Sequence, residues 1–268
     1  MAPSHSPCQI DPVRLDSLLG PLRHRFALEA LGECSSTSSL LLERARQGAP
    51  AGLTLVADRQ TAGRGRRGRQ WWSSPEAGLT FSVLWRFAGA VSGLAGLSLA
   101  VGLAVARALE RSGAQGVGLK WPNDLLLGDG KLGGILVELE SVAGATLAVI
   151  GIGLNLQLPP LGEEEFLHRP AALTQVLSPL PDRHRLLAQV LIELAAVLDR
   201  FAEGGFSVLR GEWQALHAWQ DRRVRLLNGG SLDRQGICLG ADVDGALLLR
   251  TPVGIERCLA GDLSLRVA

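Results

Sequence analysis

Short apolar runs separated by polar or glycine-rich breaks set the pattern of this chain. Leu53–Ala57, Leu79–Trp85, Val117–Leu119, Leu125–Leu127, Leu132–Leu139 and Leu147–Ile152 have the length of buried strands. Gly128-Asp129-Gly130 reads as a hairpin turn, and Val142–Thr146 as a second tight hairpin, so part of the sheet is antiparallel. Helical spacing shows elsewhere. Residues 13–32 form a first amphipathic segment, and Leu40–Arg46 a short helix capped by Ser36, Thr37 or Ser38. A buried helix is expected from about Ser92 to Arg111. Asp182–Phe201 is the clearest helix, with Leu187, Leu191, Leu194 and Leu198 on one apolar face. Phe206–Trp219 is expected to be a second covering helix.

The texture changes near Asp221. Val224–Leu227, Gly236–Leu239, Ala246–Arg250, Glu256–Leu259 and Leu263–Val267 are short strands, with turns at Asn228-Gly229-Gly230 and Asp242–Gly245. That spacing predicts a small β-barrel. The expected division is residues 1–221 and residues 222–268.

Composition narrows the function. The chain has 268 residues, 47% of them apolar, and a formal net charge of +1. A dedicated nucleic-acid binder is usually far more basic. The cysteines Cys8, Cys34, Cys238 and Cys258 are scattered, without metal-ligand spacing, which suits reduced thiols in the cytoplasm. Met1–Pro12 lacks the apolar stretch of a signal peptide. Phe87–Ala106 carries no charge over 20 residues, but its four glycines and many alanines favour a loop and a buried helix over a membrane span.

The positive charge is local. Five arginines fall between Arg59 and Arg69, interleaved with Gly63, Gly65 and Gly68, and Trp71 and Trp72 follow. Glycine this dense excludes a helix, so Gln60–Trp72 is a loop joining two strands. Its guanidinium groups suit phosphate or carboxylate. The same composition also occurs in solvated nucleic-acid-binding segments. Three other segments bring polar groups to strand ends. Ser36–Ser38 offers hydroxyls, for helix capping, for a neutral polar ligand, or for both. Lys120-Trp-Pro-Asn-Asp124 groups a lysine, an amide and a carboxylate. Lys131 heads a strand ahead of Gly133 and Gly134, where it either reaches over a ligand or is an exposed hairpin-end lysine. Gly151–Asn155 delivers glycines and a further amide.

In this order and spacing, GRGRRGRxW at Gly63–Trp71, KWPND at Lys120–Asp124, KLxGILVE at Lys131–Glu138 and GIGxN at Gly151–Asn155 resemble the biotin protein ligases. The resemblance runs from about Cys34 to the end. It implies an α+β fold, with a mixed sheet flanked by helices and a C-terminal SH3-like barrel. It also implies ATP-dependent biotinylation of a carrier-protein lysine through biotinyl-5′-AMP, with Mg²⁺. By resemblance the biotin-binding residues are Ser36, Thr37, Gln60, Gly63, Arg64, Arg66, Trp72, Lys131 and Gly134. Those for ATP are Arg66, Arg67, Arg69, Trp71, Asn123, Asp124 and Asn155. Lys131, Arg66, Lys120 and Asp124 are the catalytic candidates, with Asp124 also the magnesium ligand and, by position, a base for the acceptor lysine. The implied partner is the biotin carboxyl carrier domain of acetyl-CoA carboxylase, with no DNA or membrane and with room for a homodimer. Ser38 departs from the family's S-T-N motif, and Gly133 replaces its usual alanine. The winged DNA-binding unit of longer members is not expected here. The rivals are a lipoate or octanoate ligase and a nucleic-acid module built on the arginine loop.

Overall fold

A computed structural model describes residues 9–75, 77–158, 169–228, 231–261 and 263–267. Cys8, most of the Met1–Pro12 stretch and the Gly229-Gly230 part of the expected turn lie outside the described residues.

Two sheets organise the chain. The first has seven strands: β1 (Ala27–Cys34), β2 (Leu53–Gln60), β3 (Gly78–Ala88), β4 (Val117–Lys120), β5 (Asp124–Leu127), β6 (Gly130–Val142) and β7 (Ala145–Asn155). Their spatial order is β1-β2-β3-β7-β6-β5-β4, with β1 parallel to β2 and the other neighbours antiparallel. The second sheet holds β8 (Arg223–Asn228), β9 (Ser231–Ala241), β10 (Leu247–Thr251), β11 (Gly254–Cys258) and β12 (Leu263–Val267) in the antiparallel order β11-β10-β9-β8-β12. The α+β class, with a mixed sheet, flanking helices and a small C-terminal all-β unit, is as expected.

Among the described residues five α-helices complete the fold: α1 (Pro12–Leu19), α2 (Thr37–Arg46), α3 (Leu97–Arg111), α4 (Arg183–Gly204) and α5 (Arg210–Ala215). One face of the first sheet, carrying Phe81, Val83, Trp85, Ile150 and Leu154, packs with α3 and α4 in the main core. α3 is buried almost all round, so Val91–Arg111, although apolar and long enough to cross a membrane, is mostly interior. On the other face α2 covers Leu55, Leu84, Leu147 and Val149. Side chains two apart on a strand share a face. Continuing past α2 on that same face, β3 presents Ser82 and Thr80, while β7 presents Gly151, Gly153 and Asn155. The covered face thus gives way to an uncovered trough of hydroxyls and glycine backbone.

Three expectations need correction. Residues 13–32 are not one segment, because β1 begins at Ala27; its residues are half-buried except the exposed Ala27 and Glu33, which hides the period of two. The buried helix starts at Leu97, behind a short turn at Val91–Leu94 and Gly96 at φ 80°. The second covering helix stops at Ala215. Residues 216–218 instead pair with the edge strand β4, through Leu119 N–H to Leu216 C=O (2.8 Å) and Ala218 N–H to Leu119 C=O (2.9 Å). This covers an edge that would otherwise expose unpaired backbone groups.

Candidate active site

The trough becomes a cavity of about 230 Å³ where the arginine loop folds over it. Its lining includes Ser36, Thr37, Gln60, Arg64, Arg66, Arg67, Arg69, Trp71, Trp72, Lys120, Asn123, Asp124, Lys131, Gly134 and Asn155. Every sequence-predicted site residue except Gly63 is therefore brought to one place. Gly63 stands behind the wall. Its C=O accepts from Trp71 N–H at 2.8 Å, and an added Cβ would meet Trp71 O and Gln60 Nε2.

Register builds the floor. Lys120 pairs with Asp124, Asp124 with Gly134, Gly134 with Gly153, and Gly153 with Thr80. Directly opposed residues share a face, so these five form one row across β4, β5, β6, β7 and β3. Lys131 joins them through a bulge. The β5–β6 register shifts between Leu125 and Leu126, so Leu126 opposes Lys131. Without that shift Lys131 would lie on the face away from Gly134. A Cβ on Gly134 would meet Lys131 Nζ at 3.3 Å and Trp71 at 3.5 Å, and one on Gly153 would overlap the indole of Trp71. Trp71 thus lies on the glycine floor, while Trp72 is at the rim and 40% exposed.

The two ends of the cavity differ in chemistry. At one end the groups are neutral and buried. Thr37 Oγ1 lies 2.8 Å from Ser82 Oγ, which lies 3.0 Å from Ser38 Oγ, and Gln60 Oε1 accepts from Thr37 N–H at 2.7 Å and Thr37 Oγ1 at 3.0 Å. Ser36 caps α2 beside them. Thr80 lines the cavity, and its buried Oγ1 has no hydrogen-bond partner among the described residues. The other end is cationic. Asp124 accepts from Lys120 Nζ at 2.8 Å and from Lys131 Nζ at 2.5 Å. Burial would raise the Asp124 carboxyl, but Lys131 and Lys120 outweigh it and hold it well below the usual carboxylate range. Burial pulls the Lys120 ammonium down, against the attraction of Asp124.

These facts revise three expectations. Asp124 has both oxygens engaged by ammonium groups, and no cluster of three or more His, Cys, Asp or Glu side chains gathers among the described residues. Asp124 thus offers Mg²⁺ no open oxygen in this arrangement. A carboxylate held so strongly in its charged form is also a poor base. The amides are partly engaged as well. Asn155 Nδ2 donates to Lys131 O (3.1 Å) and Ala171 O (3.0 Å), and Asn123 Nδ2 to Ile135 O (2.7 Å).

The arginine loop is tied down at several points. Arg64 makes a two-pronged pair with Glu138, at 2.7 and 3.1 Å. Arg66 donates to Asn123 Oδ1 (3.3 Å) and to the carbonyls of Ala260 (3.1 Å) and Gly261 (2.8 Å). The backbone reverses at Arg67 (φ 64°) and Gly68 (φ 69°).

Comparison with known proteins agrees with this geometry. Residues 31–155 match the biotin/lipoate A/B protein ligase family. A bifunctional ligase/repressor BirA from Escherichia coli is 39% identical over 236 residues, covering 87% of this chain and 72% of that protein. A biotin–[acetyl-CoA-carboxylase] ligase from Mycobacterium tuberculosis is 35% identical over 239 residues, covering 87% of each. A biotin protein ligase from Aquifex aeolicus, solved in complex with biotin and ATP, superposes with TM-score 0.77 at 34% identity, over 90% of this chain and 99% of that one. The chain belongs to the biotin protein ligases.

Some residues of this ligase site escaped the sequence reading. Thr80, and Ser82 behind the wall, lie inside an apolar-looking strand, where only strand register shows that they face the glycines. Arg266 comes from β12 and lines the cavity beside Leu263, Ser264 and Leu265. Burial lowers its guanidinium pKa, and so do Arg69 and Arg67, against Asp124, so the last strand adds a further cation to the anionic-ligand end. An arginine alternating with Leu265 and Val267 in a terminal strand was the available signal.

Proposed function

We infer that this chain is an ATP-dependent biotin ligase. It forms biotinyl-5′-AMP and pyrophosphate from biotin and ATP, then passes the biotinyl group to a carrier-protein lysine. The observation that carries this reading is the polarity gradient along one floor. Neutral hydroxyls and an amide at one end suit a uncharged ureido head. The flat face of Trp71, seated on the glycine backbone, suits an aliphatic tail. Lys120, Lys131, Arg69 and Arg266 at the far end suit a carboxylate meeting a phosphate. From Thr80 to Lys120 the row crosses four strand spacings of about 4.8 Å, on the order of 19 Å, long enough for both ligands end to end.

In the first step a biotin carboxylate oxygen bonds to the α-phosphorus and the bond to pyrophosphate breaks. Two anions converge and charge develops on the leaving group, so preorganised cations lower the barrier more than a protein nucleophile would. We assign Lys131 to the carboxyl–phosphoryl junction and Lys120, Arg67, Arg69 and Arg266 to the phosphate side. Ser36, Thr37, Ser38 and Gln60 are assigned to the ureido head, with Ser82 holding the Thr37 and Ser38 hydroxyls from behind. In the second step the carrier lysine nitrogen attacks the acyl carbon and AMP leaves. The carrier is proposed to be the biotin carboxyl carrier domain of acetyl-CoA carboxylase. The cytoplasm is the proposed compartment, and 1–221 and 222–268 the proposed units. Neither the near-neutral charge nor the site calls for DNA.

Calorimetry with biotin and then ATP, followed by mass spectrometry of a carrier domain, tests the whole reading. Octanoate or lipoate binding in place of biotin would transfer it to the other branch of the family.

Thr80 gives a sharper check. Its hydroxyl lines the cavity with no partner among the described residues, so it is available to hydrogen-bond a ligand. Thr80→Val keeps the shape, so it is expected to raise the KM for biotin about fivefold, on the order of 1 kcal/mol, with kcat unchanged. Saturation kinetics with an unaltered KM would remove Thr80 from the site.

A further inference from the structure

Lys120 is gripped from a side that the cavity does not reveal. Its side chain is 3% exposed, and its Nζ sits 5.0 Å from the ring centroid of Trp219 as well as 2.8 Å from Asp124. Trp219 ends the segment 216–219, which runs along β4 through both backbone groups of Leu119. His217 reinforces that pairing. Its Nδ1 lies 3.0 Å from Leu119 O and its Nε2 3.1 Å from Cys238 Sγ in β9, while Trp213 stacks on its ring at 4.7 Å. A carbonyl can only accept, so Nδ1 carries the proton, Nε2 is bare, and the Cys238 thiol donates to it. Burial keeps both groups neutral, pushing the Cys238 thiol up to about 11 and lowering the His217 pKa. The segment that carries Trp219 is therefore fastened to both sheets.

Trp219 is itself a poor core residue. It is buried, yet its indole Nε1 has no hydrogen-bond partner among the described residues. A phenylalanine would fill similar space without an orphaned donor. What tryptophan adds is the strongest aromatic face for a cation.

We propose that Trp219 is a positioning residue for adenylate formation: its indole face, delivered by the segment paired to β4, holds the Lys120 ammonium against the phosphate end of the cavity. This rests on the role proposed above for Lys120. The charged groups facing Lys120 are Asp124 on β5, Lys131 on β6 and Arg266 on β12. Only Asp124 favours its charged form, so the ring supplies the second attraction that burial opposes.

The test is biotin-dependent ATP–pyrophosphate exchange across pH, with thermal unfolding, on full-length Trp219→Phe, Trp219→Leu and Lys120→Gln. The expected order of kcat/KM for ATP is native, then Phe down about threefold, then Leu down about tenfold. The Phe variant unfolds at or above the native temperature, because it lacks the orphaned donor. Removing the ring disfavours the ammonium, so the alkaline limb moves to lower pH, by about one unit in the Leu variant. A folded Leu variant with native exchange and an unmoved limb overturns the proposal. If the Leu variant does not fold, the Phe variant decides in the same way. Native exchange in Lys120→Gln would remove the role of Lys120 itself, a failure distinguishable from that of Trp219 alone.

Discussion

Lys131→Ala is expected to lower biotin-dependent ATP–pyrophosphate exchange by about 10³-fold while the protein stays folded. Lys131 is placed by three independent features. The β5–β6 bulge turns it onto the floor, Asp124 fixes its ammonium at 2.5 Å, and Trp71 lies 5.9 Å from Nζ. Its side chain is 24% exposed, so it is held but still open to the cavity. A fixed charge aimed at developing charge is worth about 10²–10³ in rate, which sets the magnitude. The fold survives because Asp124 keeps Lys120 as a partner, so no buried charge is left alone. Asp124 does lose one of the two cations that depress its pKa. A depressed carboxylate contributes stability above its unfolded value of about 4 and loses it as pH falls toward the folded value. The variant is therefore slightly less stable than the native protein at neutral pH, and the difference narrows in acid. Native exchange in a folded Lys131→Ala protein would exclude the role.

Much of this site was legible because its signals are local. A lysine heading a strand, glycines at strand ends and arginines among glycines each carry their physical reason within a few residues. Ser36 as a helix cap and Asp182 as the start of α4 were readable for the same reason. What stayed hidden depends on pairing between distant segments. Thr80 and Ser82 became site residues only when β3 was set against the glycines of β7. The parity of Lys131 needed the bulge, and no single strand shows that. Asp124 looked open to a metal or a proton while its neighbours in space were unknown; across the ladder both its oxygens face ammonium groups, from Lys120 and Lys131. Residues 216–219 continue an apolar helical pattern, yet they pair with β4, because an open sheet edge is the stronger demand. The C-terminal strands were recognisable as a barrel, but not as a wall of the cavity.

That wall gives the second large effect. Arg66 links the loop to two places far away in sequence, Asn123 after β4 and the Ala260–Gly261 carbonyls before β12. Its side chain therefore fastens the loop to both the catalytic sheet and the small sheet. Arg66→Gly deletes these bonds and adds a residue with greater freedom in the open loop, which costs about 0.5–1 kcal/mol more to order. At roughly 1 kcal/mol for each of three hydrogen bonds, the closed loop loses about 3 kcal/mol. Tenfold corresponds to about 1.4 kcal/mol, so escape of biotinyl-5′-AMP should speed up about 100-fold. The released mixed anhydride then acylates whatever lysine it meets. The variant is expected to biotinylate bystander proteins in proportion to their accessible lysines, as read by mass spectrometry of a mixture of carrier and unrelated protein. Adenylate formation itself should fall less than in Lys131→Ala, because Lys120, Lys131 and Arg266 are untouched. A variant that retains its adenylate and labels only the carrier would show that closure does not depend on Arg66. The bidentate Arg64–Glu138 pair would then be the next fastening to test.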